Sequence, residues 1–284
     1  MSTVSRMPIN ASRRHSNSSC ATDGNNILHY TLHSDRQSSH QQIAQLVRRI
    51  GRAPVLDVGA AQGFLGQLLQ HDRIQIDAVE PHPQWAEHAR AYYHAVYASA
   101  IEAAGLPAGR YPVVVCADVL EHTVDPVGVL NQLRTTATED ATFIISLPNV
   151  AHIAARLLLL AGRFPRMERG IFDRTHLHFY TRATAEAMLR DAELKVVWAR
   201  PTPVPIEQIW PADGSLALLR AIMAVQRAAL LLAPALFGFQ WIFVARRALP
   251  EVGRADTRAH IGADTATQLK ASAYENIPDG IGPG

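Results

Sequence analysis

Short apolar runs at 54–58, 74–80, 113–117 and 141–147 alternate with longer helical patterns, and this alternation restricts the fold more than any other feature. The run Val113-Val114-Val115-Cys116-Ala117 has no polar face, which is how a strand buried on both sides of a parallel sheet reads. Helices are expected over Ser39–Ile50, 64–70, 83–93, Pro126–Thr136, 151–161 and 184–192, with short strands at 95–98 and 195–199. A strongly apolar helix at Leu216–Leu232 and a last strand at 239–246 complete the set. The expected fold is α/β: a Rossmann-like, seven-stranded, mostly parallel sheet with helices on both faces and an antiparallel last strand. In that scheme Leu216–Leu232 is a packed crossover helix.

Residues 1–26 are polar and rich in Ser, Asn and Arg without an apolar core, so they read as a disordered tail and not as a secretory signal. Residues 250–284 read as a second flexible tail, leaving one domain over 27–249. Within it, 162–181 and 201–238 are insertions on the acceptor side. Residues 216–244 are interrupted by Arg220, Arg227, Pro234, Gly238 and Gln240, which argues against a membrane-spanning helix. A cytoplasmic location follows by default.

With a formal charge of +2 and no Lys/Arg cluster interleaved with aromatic residues, nucleic acid is not an expected partner. The two cysteines, Cys20 and Cys116, lie far apart and lack neighbours at metal-ligand spacing, which excludes a disulfide scaffold and a zinc site of the usual kind.

The run Val55-Leu56-Asp57-Val58-Gly59-Ala60-Ala61-Gln62-Gly63-Phe64-Leu65 ends a buried strand in a turn of small residues and opens a helix, so that backbone can touch a ligand. It resembles motif I of class I S-adenosylmethionine-dependent methyltransferases, with Asp57, Gly59 and Gly63 in register and Ala61 in place of the middle glycine. Glu80, closing the second strand, is placed to accept hydrogen bonds from ribose hydroxyls. Asp118, after the fourth strand, resembles a later motif of that family; the resemblance also gives Ser99 an adenine-side position and Ile101 a contact to the adenine face. Ala61-x-Gly63-x-x-Gly66 is in addition a degraded nicotinamide-dinucleotide fingerprint, so an oxidoreductase is the alternative for the same residues.

The ending Asp118-x-x-Glu121-His122 followed by Asp125-Pro126, and the later Pro148-Asn149, Gly162-Arg163 and Asp173-Arg174-Thr175-His176-Leu177-His178-Phe179-Tyr180-Thr181, resemble the quinone-biosynthesis O-methyltransferases and the methionine-biosynthesis W-type proteins. The resemblance spans 39–246 and rests on several motifs in order. It implies S-adenosylmethionine as cofactor and a small-molecule acceptor, with O-methylation as the leading reaction. It also implies, as the alternative, a partner protein that regulates methionine biosynthesis. In some quinone enzymes a comparable acidic-acidic-His set holds a divalent cation. Here Asp118, Glu121 and His122 read as a capped, solvated helix start, and no metal is expected.

An alcohol or phenol acceptor benefits from a nearby imidazole, because histidine titrates near neutrality. His176 is the first catalytic candidate and His152 the second. Asp173 and Arg174 are expected to pair and fix the loop, with Arg174 or Arg156 as the alternative holder of an anionic acceptor. For Leu216–Leu232, contact with a lipid-linked acceptor or a membrane surface, and a homodimer face, are the alternatives to core packing.

Overall fold

Ser38 starts the first described helix by accepting a hydrogen bond from Gln41 N on its hydroxyl, and Gly51 ends it in the left-handed region. This is α1 (Ser39–Ile50), whose buried Ile43, Ala44 and Val47 recur at helical spacing and face the sheet. The computed structural model describes residues 38–248 apart from 209, 212 and 213; the two expected tails, 1–26 and 250–284, lie outside the described residues.

Seven strands follow: β1 (Val55–Val58), β2 (Ile76–Val79), β3 (Ala95–Tyr97), β4 (Tyr111–Ala117), β5 (Ala137–Pro148), β6 (Leu194–Thr202) and β7 (Gln240–Arg247). They form one sheet in the order β3-β2-β1-β4-β5-β7-β6. Neighbours from β3 to β5 are parallel, and β7 runs antiparallel to both β5 and β6. Between the strands lie α2 (Phe64–Leu69), α3 (Pro83–Ala89), α4 (Pro126–Thr136), α5 (Ile153–Leu160), α6 (Arg182–Asp191), α7 (Leu216–Leu232) and α8 (Pro234–Phe237).

Strand alternation divides the core in two. Val113 and Val115 of β4 pack with α1 and α2 on one face, whereas Val114 and Cys116 pack with α4 and α6 on the other. Each buried Leu or Ile contributes about 1.5–3 kcal/mol. Pro112 is tolerated in β4 because the pairing with β5 shifts register between Tyr111 and Val113, where its missing N–H is not needed.

Three differences from expectation bear on the site. Helix α3 stops at Ala89 and not at residue 93, because the chain turns there and sends the Tyr93 side chain toward β1. Strand β5 begins at Ala137, four residues early, through an extension that includes the exposed Glu139 and Asp140 and so carries no apolar signal. The third difference is α7, which is not a packed crossover helix: none of its residues is buried. Because β6 and β7 are antiparallel neighbours whose ends meet where Thr202 pairs with Gln240, their connection stays at one edge of the sheet and crosses nothing.

That edge is the one at which β1, β2, β4 and β5 terminate. Pro148 of β5 pairs with Gln240, so the segments after β5 and between β6 and β7 project from it together. The chain leaves β1 and β4 toward opposite sides, and the crevice at such a switch point is where open α/β sheets take their ligands.

Candidate functional site

The turn after β1 is held open by three left-handed residues, Gly59 at φ 71°, Ala61 at φ 47° and Gly63 at φ 91°. Sequence assigned the two glycines to close approach by a ligand; in the fold their missing side chains also make room for the protein itself. A Cβ on Gly59 would stand 2.5 Å from Val119 Cγ2, and one on Gly63 would stand 2.9 Å from Tyr92 Cδ2. Ala61 holds a conformation that favours glycine. Its N–H donates to Glu80 Oε2 at 2.7 Å, while Glu80 Oε1 accepts from His82 N at 2.8 Å.

Glu80 is therefore buried against the turn, and desolvation raises its pKa against the pull of these two N–H groups. Asp57 lies beneath the same turn and accepts a 2.5 Å hydrogen bond from Tyr93 Oη, which in turn accepts one from Gly66 N. Burial raises the Asp57 carboxyl to about 7, with the Tyr93 hydroxyl opposing and the Glu80 charge assisting the rise. Ser99 is half-buried beside them: the Tyr97 carbonyl accepts from both Glu80 N and Ser99 N. Asp57, Gly59, Ala61, Gly63, Glu80 and Ser99 are thus brought to one end of the crevice. Ile101 is buried in the core below α4.

Asp118 stands apart from that group in its commitments. In a left-handed conformation of its own (φ 56°), it accepts from Ser146 Oγ at 2.7 Å and from Gln240 Nε2 at 2.8 Å, tying the ends of β4, β5 and β7 together.

The turn after Asp118 is not the solvated helix start that sequence suggested. Glu121 is 1% exposed and both its carboxylate oxygens lack a hydrogen-bond partner. It is covered because Leu177 N and His178 N donate to its backbone carbonyl, docking the 162–181 insertion on this turn. Burial, with the Asp118 charge, raises the Glu121 pKa well above the ordinary carboxylate range.

His176 enters from that insertion. Its Nδ1 lies 3.2 Å from the Ile171 carbonyl, which can only accept, so Nδ1 carries the proton and Nε2 keeps its lone pair. Nε2 is 4.0 Å from Glu121 Oε1, and the His122 ring is 4.8 Å away, centroid to centroid. Burial lowers the His176 pKa, with His122 reinforcing the effect. Glu121, His122 and His176 offer three ligand atoms within 4.8 Å of one another, a set chemically able to hold a divalent cation. Asp118, the acidic member inferred from sequence, is engaged elsewhere.

His152 joins none of these. It caps α5, accepting from Ala154 N on Nδ1 at 3.2 Å, and its ring packs edge-on against Phe239. Asp173 and Arg174 do not pair with each other: Asp173 Oδ1 accepts from Thr175 N and Oγ1, and Arg174 bridges Glu168 at 2.7 Å. Arg156 donates to the Ala151 carbonyl. Glu121 is the residue that sequence reasoning undervalued. Its motif was visible, but its burial depends on residues more than fifty positions away.

A family model described as a methyltransferase domain matches residues 32–198. Among solved structures, a SAM-dependent methyltransferase from Archaeoglobus fulgidus is similar at 18% identity, covering 74% of this chain and 96% of its own, with a TM-score of 0.51. Magnesium protoporphyrin IX methyltransferase from Synechocystis, solved with bound SAH, is 16% identical over 75% of this chain and 84% of its own (TM-score 0.51). A Burkholderia thailandensis 1,6-didemethyltoxoflavin-N1-methyltransferase, solved with its substrate and S-adenosylhomocysteine, is 16% identical over 75% and 80% (TM-score 0.50). At these identities the likeness is one of fold. No curated protein matches the chain.

Proposed function

The chain belongs to the family of methyltransferase domains, and on that premise we propose that it transfers a methyl group to an oxygen of a small-molecule acceptor. The family match also decides between the two readings of the glycine run, in favour of the methyl donor over a nicotinamide. S-adenosylmethionine, when bound, supplies a methyl carbon made electrophilic by its sulfonium and transferred by in-line displacement.

The residues present fit that donor. Glu80 is buried at the carboxyl end of β2, and each of its oxygens retains acceptor capacity beyond the one backbone N–H it binds, which suits a pair of ribose hydroxyls. Asp57, Gly59, Ala61 and Gly63 shape the turn beside it, and Ser99 flanks the adenine side. Asp118 holds the floor of the crevice by joining three strand ends.

The observation that carries O-methylation is the state of His176. Kept neutral by burial, with Nδ1 committed to Ile171, it presents an unprotonated Nε2 that can take the proton an acceptor hydroxyl loses. Glu121 faces the imidazolium so formed from 4.0 Å. The 162–181 insertion closes over this group and limits water, which strengthens every charge interaction beneath it.

Calorimetry with S-adenosylmethionine and its demethylated product tests the donor, and unchanged binding by Glu80→Ala would remove the ribose assignment. A radiolabelled-methyl screen of phenolic and alcoholic acceptors tests the rest. Label transferred to nitrogen or sulfur in place of oxygen would overturn O-methylation while leaving the donor intact.

A further inference from the structure

Helix α7 has the composition of a core helix and the exposure of a surface one. Its 17 residues include no buried side chain, and Leu231 and Leu232 at its end are each 86% exposed. Its only charged residues are Arg220 and Arg227, two turns apart and therefore on one side. A second element of the same character stands at the same edge of the sheet. Leu157 and Leu160 of α5 are exposed, as are Phe164 and Met167 in the loop that follows. Residues 153–169 carry four arginines and a single acid, Glu168, which Arg174 neutralises.

The two elements share a base. Asn149, just past β5, donates to the carbonyls of Ala235 in α8 and of Gly238 at 3.0 and 2.8 Å. Phe239 packs with Ala155, Ile171 and Phe172, so the root of α5 and the end of the α7–α8 excursion form one small core.

We propose that this edge of the protein rests on the surface of an anionic lipid bilayer, with α7 lying in the plane of the interface. Apolar side chains interspersed with arginines are what such an interface takes: the leucines enter the acyl boundary and the long arginine stems reach phosphates. No helix among the described residues is long and apolar enough to cross a membrane, so attachment is in-plane. Charge selects the lipid over a second copy of the chain. A twofold dimer through this face would set arginine-rich surfaces against each other with too few acids to answer them. The leucines, with Phe164 already engaged edge-on by Phe172 and Phe179, also offer little for the bases of a nucleic acid to stack on.

The test is co-sedimentation of the full chain with vesicles of phosphatidylcholine alone and of phosphatidylcholine with phosphatidylglycerol. Binding is expected to be about tenfold or more tighter on the anionic vesicles and to weaken as salt rises, since each arginine near a charged surface contributes about a fivefold change. Arg220→Glu combined with Arg227→Glu is expected to lose about tenfold or more. Leu231→Ser with Leu232→Ser is expected to weaken binding to both compositions. Neither pair should alter the unfolding midpoint or the affinity for S-adenosylmethionine, because no α7 side chain is buried.

Equal binding to neutral and anionic vesicles, or full binding by the charge-reversed protein, overturns the proposal. So does a chain that pellets with neither vesicle, whether it instead forms a dimer that the leucine variant dissociates or is retained on an oligonucleotide. Vesicle binding is read without turnover, so it stands or falls apart from the methyl-transfer reading.

Discussion

The Ala61 amide donates to Glu80 Oε2 at 2.7 Å, so the bend after the first strand and the carboxylate after the second are bonded to each other before any ligand arrives. The bond holds Ala61 in a left-handed conformation that costs a residue with a side chain about 1–2 kcal/mol. Ala61→Gly keeps the N–H and removes the strain. It is expected to raise stability by up to about 1 kcal/mol, the remainder being offset by the extra freedom of glycine in the unfolded chain. Glu80→Gln should act oppositely: its amide must turn an NH₂ toward one of the two N–H groups and leave that group unpaired, costing about 1–3 kcal/mol. Urea denaturation of both variants checks the pair of signs.

Asp57 sets a pH dependence whose direction is fixed by its burial. With the folded carboxyl near 7 and the unfolded one near its ordinary value of about 3.9, the native chain binds the extra proton between those limits. The stability gained by holding that proton is complete below about pH 4 and is lost as pH rises to about 7. It amounts to on the order of 4 kcal/mol at most, at about 1.4 kcal/mol per pH unit. Asp57→Asn can still accept from Tyr93 Oη and carries no charge to desolvate. Its stability relative to the parent is therefore expected to improve from pH 5 to pH 8, and a constant difference across that range would exclude the account.

How much of this was visible in the sequence depended on where each residue's environment is decided. Strand β4 was legible because burial on both faces leaves a continuous apolar run, and β1 and β2 because each is a short, mainly apolar run ending at a turn, with Glu80 directly after β2. The burial of Glu121 was hidden, since the N–H groups that dock over it belong to Leu177 and His178. The surface position of α7 was hidden for a related reason. Its residues would suit a packed helix equally well, and only the antiparallel join of β6 to β7 keeps it at the edge. The second use of Gly59 and Gly63 was hidden because a turn that receives a ligand and a turn that receives Val119 or Tyr92 ask for the same residue.

Glu121 is a buried carboxylate whose oxygens have no hydrogen-bond donor, an arrangement that destabilises the fold whenever the group ionises. Glu121→Gln keeps the shape without the charge. Measured in a chelator, so that the Glu121, His122 and His176 group holds no cation, the variant is expected to gain stability relative to the parent as pH rises through the raised Glu121 pKa. The advantage should shrink as pH falls and the native carboxyl takes up its own proton. A variant less stable than the parent at every pH would mean that Glu121 has a partner in the folded protein.

The two histidines singled out at the start separate cleanly once their bonds are compared. His152 spends Nδ1 on the Ala154 amide at the start of α5, so His152→Ala removes a helix cap and should cost about 0.5–2 kcal/mol of stability while sparing the chemical step. His176 spends Nδ1 on Ile171 and keeps its Nε2 lone pair, so as the proposed base its loss in His176→Ala should lower kcat by about 100-fold to 10,000-fold and leave S-adenosylmethionine binding unchanged. Because burial holds the His176 imidazole below its usual range, the acid limb of kcat should fall below the ordinary histidine pKa, and it should disappear in the variant. Full turnover by His176→Ala, or loss of turnover without loss of stability in His152→Ala, would reverse the assignment, because a cap acts through the fold and a base acts on the acceptor proton.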